Sequence, residues 1–129
     1  MRSGRSFMTE QDAYFFDTYA ILEIISGNQN YKKYTDADMV ITKLNLFELF
    51  YKIMKESGAE KAKYYFDMYK LFAVDFGANA IKEAAKLKML HSKLSMTDCI
   101  GFIVAEKLGI KFLTGDSAFE SVPNVEFVK

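Results

Sequence analysis

Short apolar runs alternate along the chain with longer stretches whose apolar residues recur three and four positions apart. "AYFF" at 13 to 16 is a continuous apolar run of strand length that ends at Asp17. "TYAILEIISG" then carries apolar residues at 20, 21, 24 and 25, a helical spacing, with Gly27 where a C-terminal cap belongs. "MVIT" at 39 to 42 reads as a second strand, and "NLFELFYKIMKESG" as a helix closed by Gly58. Another helix starts at 59, and "KLFAVDF" at 70 to 76 has the length and composition of a strand. "NAIKEAAKLKMLH" is a strong helix former. "SMTDCIGFIVAEKLG" predicts a helix with apolar residues at 99, 100, 103, 104 and 108, ended by Gly109. A strand "IKFLT", a turn at "GDS" and a last strand "VEFV" after the single proline, Pro123, complete the pattern.

Strands separated by helical stretches of ten or more residues predict a mostly parallel sheet with helices on both faces, a three-layer α/β/α sandwich. In such sheets a ligand site lies beyond the carboxyl ends of the strands, where the strand order switches direction. The 129 residues suit one domain, half of them are apolar, and 12 Phe and 8 Tyr argue against disorder. "MRSGRSF" differs from the packed sequence after it. Residues 1–7 are therefore expected to be a flexible or vector-derived leader, and 8–129 a single domain. Cys99 has no partner for an internal bridge, no secretory leader is recognisable, and no window approaches the roughly 18 apolar residues of a membrane span. A cytoplasmic protein with no membrane association is expected. The 17 basic and 17 acidic residues cancel, so total charge gives no reason for nucleic-acid binding, and any such case must come from local patches.

Four acids fall where the sheet rule puts a site. Asp17 follows the first strand, Asp116 follows "IKFLTG", Glu48 lies about a turn into the helix after "MVIT", and Asp98 opens the helix before the strand that leads to Asp116. Each also has a plain structural reading. Asp17 suits a helix cap, Asn45 and Glu48 have capping-box spacing, Glu48 suits a pair with Lys52, Ser95 and Asp98 form an S-x-x-D box, and Asp116 suits a turn. Glu48 argues for more. Its neighbours Leu46, Phe47, Leu49, Phe50 and Tyr51 make the helix apolar almost all round, and a part-buried carboxylate there needs a compensating partner. Crowded carboxylates raise one another's pKa unless a cation neutralises them, and oxygen ligands without clustered His or Cys select a hard ion, Mg²⁺ or Mn²⁺. The lone His91 and Cys99 support no zinc site.

"FFDTYAIL", "ITKLNLFELFY", "SMTDCIGFIVAEKLGIKFLTGDSAFE" and "NVEFV" resemble, in order and spacing, the acidic motifs of PIN-domain nucleases, and among them the VapC-type toxins of type II toxin–antitoxin pairs. The resemblance runs from about residue 13 to the end. It implies a pocket in which Asp17, Glu48, Asp98 and Asp116 act as catalytic residues and hold one or two Mg²⁺ or Mn²⁺ ions, with Thr18 fixing the Asp17 turn and Thr114 orienting the Asp116 loop. It further implies metal-dependent endonucleolytic hydrolysis of RNA to a 3′-hydroxyl and a 5′-phosphate, a small antitoxin partner and a homodimer. Relatives often carry a further acid two or three residues after the last aspartate. Ala118 and Phe119 stand there in this chain, which implies a second ion held weakly or brought by the substrate. PIN domains in ribosomal RNA maturation or RNA decay, and silent RNA-binding or scaffold PIN domains, are the alternatives. A phosphatase of the haloacid-dehalogenase type needs an acid two places after Asp17, and that place holds Tyr19. Lysines 32, 33, 43, 52, 55, 61, 63, 70, 82, 86, 88 and 93 could border a groove for phosphates, but those on "IKEAAKLKMLHSK" read rather as a solvated surface; the aromatic run "KYYFDMY" at 63 to 69 could stack bases or hold a partner helix, but reads rather as core.

Overall fold

A computed structural model describes residues 12–129; the expected leader, 1–7, lies outside the described residues. The four strands, β1 (Ala13–Phe16), β2 (Asp38–Val40), β3 (Lys111–Thr114) and β4 (Val125–Phe127), pair in the order β2-β1-β3-β4. All three pairings are parallel, with Phe15 in register with Val40 on one side and Phe112 on the other. Because side chains alternate along a strand, each central strand feeds two cores. Phe15 and Phe112 point to the face covered by α4 (Ala78–Leu90) and α5 (Met96–Leu108). Phe16 and Leu113 point to the face covered by α1 (Thr18–Ser26), α2 (Lys43–Ser57) and α3 (Ala59–Tyr69). The protein is a three-layer α/β/α sandwich around a parallel sheet, as the pattern of runs predicts.

Local signals set the helix ends. α1 begins on the Asp17 cap and stops at Gly27, whose φ of 81° is left-handed backbone that glycine adopts without strain. α2 begins earlier than its periodicity suggests, because Thr42 is its N-cap and Asn45 closes the capping box. Glu48 therefore sits inside the helix rather than in the box assigned to Asn45 and Glu48. Ser95 and Asp98 do form a box, and it opens α5.

Three expectations are corrected. Residues 70–76 are not a sheet strand: Lys70–Phe72 form a 3-10 turn out of α3, and the segment makes one bridge, from Ala73 to Ile41 just after β2. Its composition is strand-like, but Leu71 is 82% exposed and the chain is already turning, so no ladder extends. α2 is not enclosed all round, since Phe47 and Tyr51 face outward, exposed by 73% and 52%. In the aromatic run, Tyr69 is core but Tyr64 is exposed. The pattern assigns no element to Gln29–Asp36, which forms a 3-10 helix whose Tyr31 and Tyr34 are buried. Their hydroxyls donate to the Val128 carbonyl and the Glu126 carboxylate, both at 2.6 Å.

The packing of α5 on the sheet requires a residue without a side chain. A Cβ on Gly101 would lie 2.7 Å from the Phe15 ring, which is fully buried and stacked on Phe112 with centroids 5.4 Å apart. Neither ring has room to move. Gly101→Ala gains about 1 kcal/mol of helix propensity but overpacks the core at a cost of about 1–3 kcal/mol. The expected outcome is a net loss of stability, read as a lower midpoint in urea unfolding.

Candidate active site

β1 and β3 are neighbours although β2 follows β1 in the chain, so the strand order switches between them. The carboxyl ends of those two strands open the crevice where a parallel sheet builds its site. Asp17 stands at the end of β1, 3% exposed, and its backbone N–H donates to the Leu113 carbonyl at 3.1 Å, extending the strand pairing. Its Oδ1 accepts the Thr18 N–H at 2.9 Å, and its Oδ2 accepts the Thr114 hydroxyl at 2.7 Å. The Thr114 oxygen in turn accepts the Asp116 N–H at 3.1 Å, so one buried hydroxyl at the end of β3 joins the two turns. Asp116 Oδ1 accepts the Ala118 N–H at 3.0 Å and caps the short turn Ser117–Phe119.

Glu48 reaches the same place from α2. Its Oε1 accepts the Thr18 hydroxyl at 2.8 Å, and the Thr18 oxygen accepts the Asn45 side-chain amide at 3.1 Å. Asn45 Oδ1 takes the Thr42 N–H at 3.0 Å, so the cap of α2 and the glutamate one turn further are fixed through one network. Asp98 Oδ2 accepts the Ser95 N–H at 2.9 Å. Asp17, Asp98 and Asp116 thus do act as caps. Yet the second carboxylate oxygens of Glu48, Asp98 and Asp116 carry no hydrogen bond among the described residues.

Asp17, Glu48, Asp98 and Asp116 all line one cavity of about 390 Å³, with Thr18 beside them; Thr114 lies fully buried beneath its floor. The cavity is also lined by Glu23, Lys52 and Lys93. Glu23 escapes sequence reasoning because, six residues past Asp17, it reads as the polar face of α1. Lys52 and Lys93 are among the lysines that the sequence allows at a phosphate groove, and Lys93 lies in the stretch that it reads as a solvated surface. Wider cavities of about 500 and 660 Å³ elsewhere gather a single carboxylate between them, Asp75.

The acids feel one another. Burial, then the charge of Asp98, raise the Asp17 pKa from its ordinary 3.8 to about 7; the Thr114 bond opposes the rise and the Glu48 charge adds to it. Asp98 is also raised, chiefly by burial, with Glu48 and Asp116 contributing. Carboxylates that line one cavity and whose charges raise one another's pKa suit a hard divalent cation, and the donors are oxygens alone. Among the described residues no three of them are already drawn together as a metal-ligating group, so the fit rests on donor chemistry and shared charge.

A family model described as PIN domain matches residues 14–125. The chain belongs to the PIN-domain family. No curated protein matches it. Among solved structures it is similar to a toxin–antitoxin complex from Klebsiella pneumoniae, at 18% identity and TM-score 0.68 over 88% of this chain and 96% of that one. VapBC2 from Rickettsia felis bound to a promoter DNA fragment matches at 18% identity and TM-score 0.68, over 91% and 99%. DNA-bound VapBC from Salmonella typhimurium matches at 17% and 0.69, over 89% and 96%. At such identities the likeness carries the fold. PIN domains are in general nucleases that depend on divalent metal, and membership of the family implies nuclease activity in general for this chain. Among its described residues no helix is long and apolar enough to cross a membrane.

Gly115, between Thr114 and Asp116, is buried, and a Cβ on it would overlap the Val128 carbonyl oxygen and the Tyr19 ring. The turn that aims Asp116 is pressed between α1 and the segment after β4.

In metal-free protein the raised Asp17 makes the folded chain bind a proton more tightly than the unfolded chain, so stability falls as pH climbs from about 4 through about 7. Asp98 adds to the same sign. Urea midpoints measured in EDTA are expected to decline across that window, and Asp17→Asn is expected to flatten most of the decline.

Proposed function

We propose that this PIN domain is a Mg²⁺- or Mn²⁺-dependent endoribonuclease, with Asp17, Glu48, Asp98 and Asp116 as its catalytic, metal-holding residues. The observation that carries the reading is the single cavity shared by four acids from four separate parts of the chain. Their number and oxygen chemistry suit an ion bound in the midst of them. The chemistry supplied by that ion when bound is activation of water for attack on phosphorus and neutralisation of charge building on the phosphoryl oxygens.

The chain's own side chains do the rest. Thr114 and the Thr18 N–H hold both oxygens of Asp17, so its carboxylate cannot rotate. Thr18 and Asn45 hold Glu48 through its Oε1, leaving Oε2 without a hydrogen bond among the described residues. The α5 capping box fixes Asp98, leaving Oδ1 for the ion. Preorganised acids of this kind lose little freedom when they engage ion and substrate. Thr18 and Thr114 are positioning residues in this reading.

The toxin role, with a small antitoxin and a homodimer as partners, is part of the same proposal. The complexes that resemble this chain in fold are toxin–antitoxin pairs, which supports it. So does an apolar groove lined by Phe47, Phe50, Phe66 and Leu71, where a protein chain would bury exposed aromatic surface.

Asp17→Asn keeps the shape of the side chain and loses the charge. It is expected to lower cleavage of single-stranded RNA by at least about a hundredfold while the circular dichroism spectrum stays native. EDTA is expected to stop wild-type cleavage, and added Mn²⁺ to restore it and raise the melting temperature. Full cleavage by the Asp17→Asn variant, or cleavage indifferent to EDTA, would reject the reading.

A further inference from the structure

The cavity poses an electrostatic difficulty for a nucleic acid. Its lining carries Asp17, Glu23, Glu48, Asp98 and Asp116 against two lysines, and the chain as a whole is neutral, so no long-range field draws a polyanion in. A metal ion offsets charge at the phosphate over the acids. It does little for the neighbouring phosphates of the same strand, which must also pass the acidic rim.

Lys52 and Lys93 are the two cations lining the cavity, and they come from separate parts of the fold, α2 and the turn between α4 and α5. Lys52 lies one helical turn beyond Glu48 on α2, so the two side chains share a face. Even so, neither Lys52 nor Lys93 forms an ion pair among the described residues, where the pairs are Lys63–Asp67, Lys70–Asp67 and Lys107–Glu83. Lys93 projects from the turn between α4 and α5, and that turn is braced. The Lys88 ammonium donates to the Ser92 carbonyl at 3.1 Å and to the Leu94 carbonyl at 2.7 Å, one on each side of Lys93. Leu94 is 1% exposed and pins the turn to the core. The backbone of Lys93 is thus held while its side chain is exposed, an arrangement that presents a charge at a defined place.

We propose that Lys52 and Lys93 hold the two backbone phosphates that flank the one lying over the acids, and so set the path of a single strand across the site. The inference rests on the nuclease reading for the meaning of that central phosphate. Its residues and its test are separate from the acids. Contacts of this kind are point-charge contacts, each releasing counterions from the strand, so they leave a signature in salt dependence that a purely structural lysine does not.

The experiment measures binding of a short fluorescein-labelled oligouridylate, in Mg²⁺ and over a range of KCl concentrations, in the Asp17→Asn background so that no strand is cut. Lys52→Gln and Lys93→Gln are each expected to weaken binding about fivefold at low salt and to reduce the slope of log K against log salt by about 0.7. The double variant is expected to lose about twice that slope, and Lys→Arg at either position to restore it. Lys61→Gln, on α3 and outside the cavity, serves as the control and is expected to change neither quantity. Unchanged affinity and slope in the double variant, an equal loss from Lys61→Gln, or no binding of the strand at all would overturn the inference. The two readings fail differently. Binding through these lysines by an otherwise wild-type protein that cuts nothing would sink the nuclease reading alone, whereas metal-dependent cleavage with an unaltered salt slope in the double variant would sink this inference alone.

Discussion

A carboxylate with almost no exposed surface stands at the end of a central strand, and the rest of the site follows from how it is tolerated. Burying an ionisable group without compensation is costly. Asp17 answers that cost with two hydrogen bonds, from Thr18 and Thr114, and with a pKa raised to about 7. The Thr114 bond spans β1 and β3, so it exists only because those two strands are neighbours despite lying nearly a hundred residues apart. The sheet order, the two aromatic cores that clamp it and the acidic crevice are therefore one construction. A change that slipped the register of β1 against β3 would move Asp17, Thr114 and Asp116 together.

Much of the fold was readable because its signals are local. A buried parallel strand is a short apolar run, and a helix between sheet and solvent keeps a period of three to four, with glycine in left-handed backbone at its end. The ends at Gly27 and Gly109 followed from that alone. The segment 70–76 misled because strand-like composition describes any extended apolar stretch, and its single bridge at Ala73 depends on where β2 lies. Tyr31 and Tyr34 were invisible for a related reason: their hydroxyls are satisfied by residues more than ninety positions away, and nothing in the run "QNYKKYTD" announces them.

The acids of the site were legible one at a time, through their positions after strands and at helix starts. What ties them was not. The link from Thr42 through Asn45 and Thr18 to Glu48 joins residues 27 and 30 positions apart, and each member alone reads as an ordinary cap or helix residue. The structural and functional readings of these acids also turn out to be compatible, since a carboxylate has two oxygens. Asp98 and Asp116 each give one to a backbone N–H while still lining the cavity.

Gly115 has a consequence for handling the protein. The backbone of Val128 lies against this glycine, and its N–H donates to the Thr114 carbonyl at 2.9 Å, so the stretch after β4 forms the back wall of the turn that carries Asp116. Asn30 reaches the Lys129 carbonyl and Tyr31 the Val128 carbonyl, fastening the same stretch to the 3-10 helix. An affinity tag or fusion partner joined after Lys129 would pull directly on that wall, a few residues from the acidic crevice. A tag joined ahead of β1 lies at the amino end of that central strand, away from the carboxyl ends where the crevice opens, and is the better choice for any measurement of turnover.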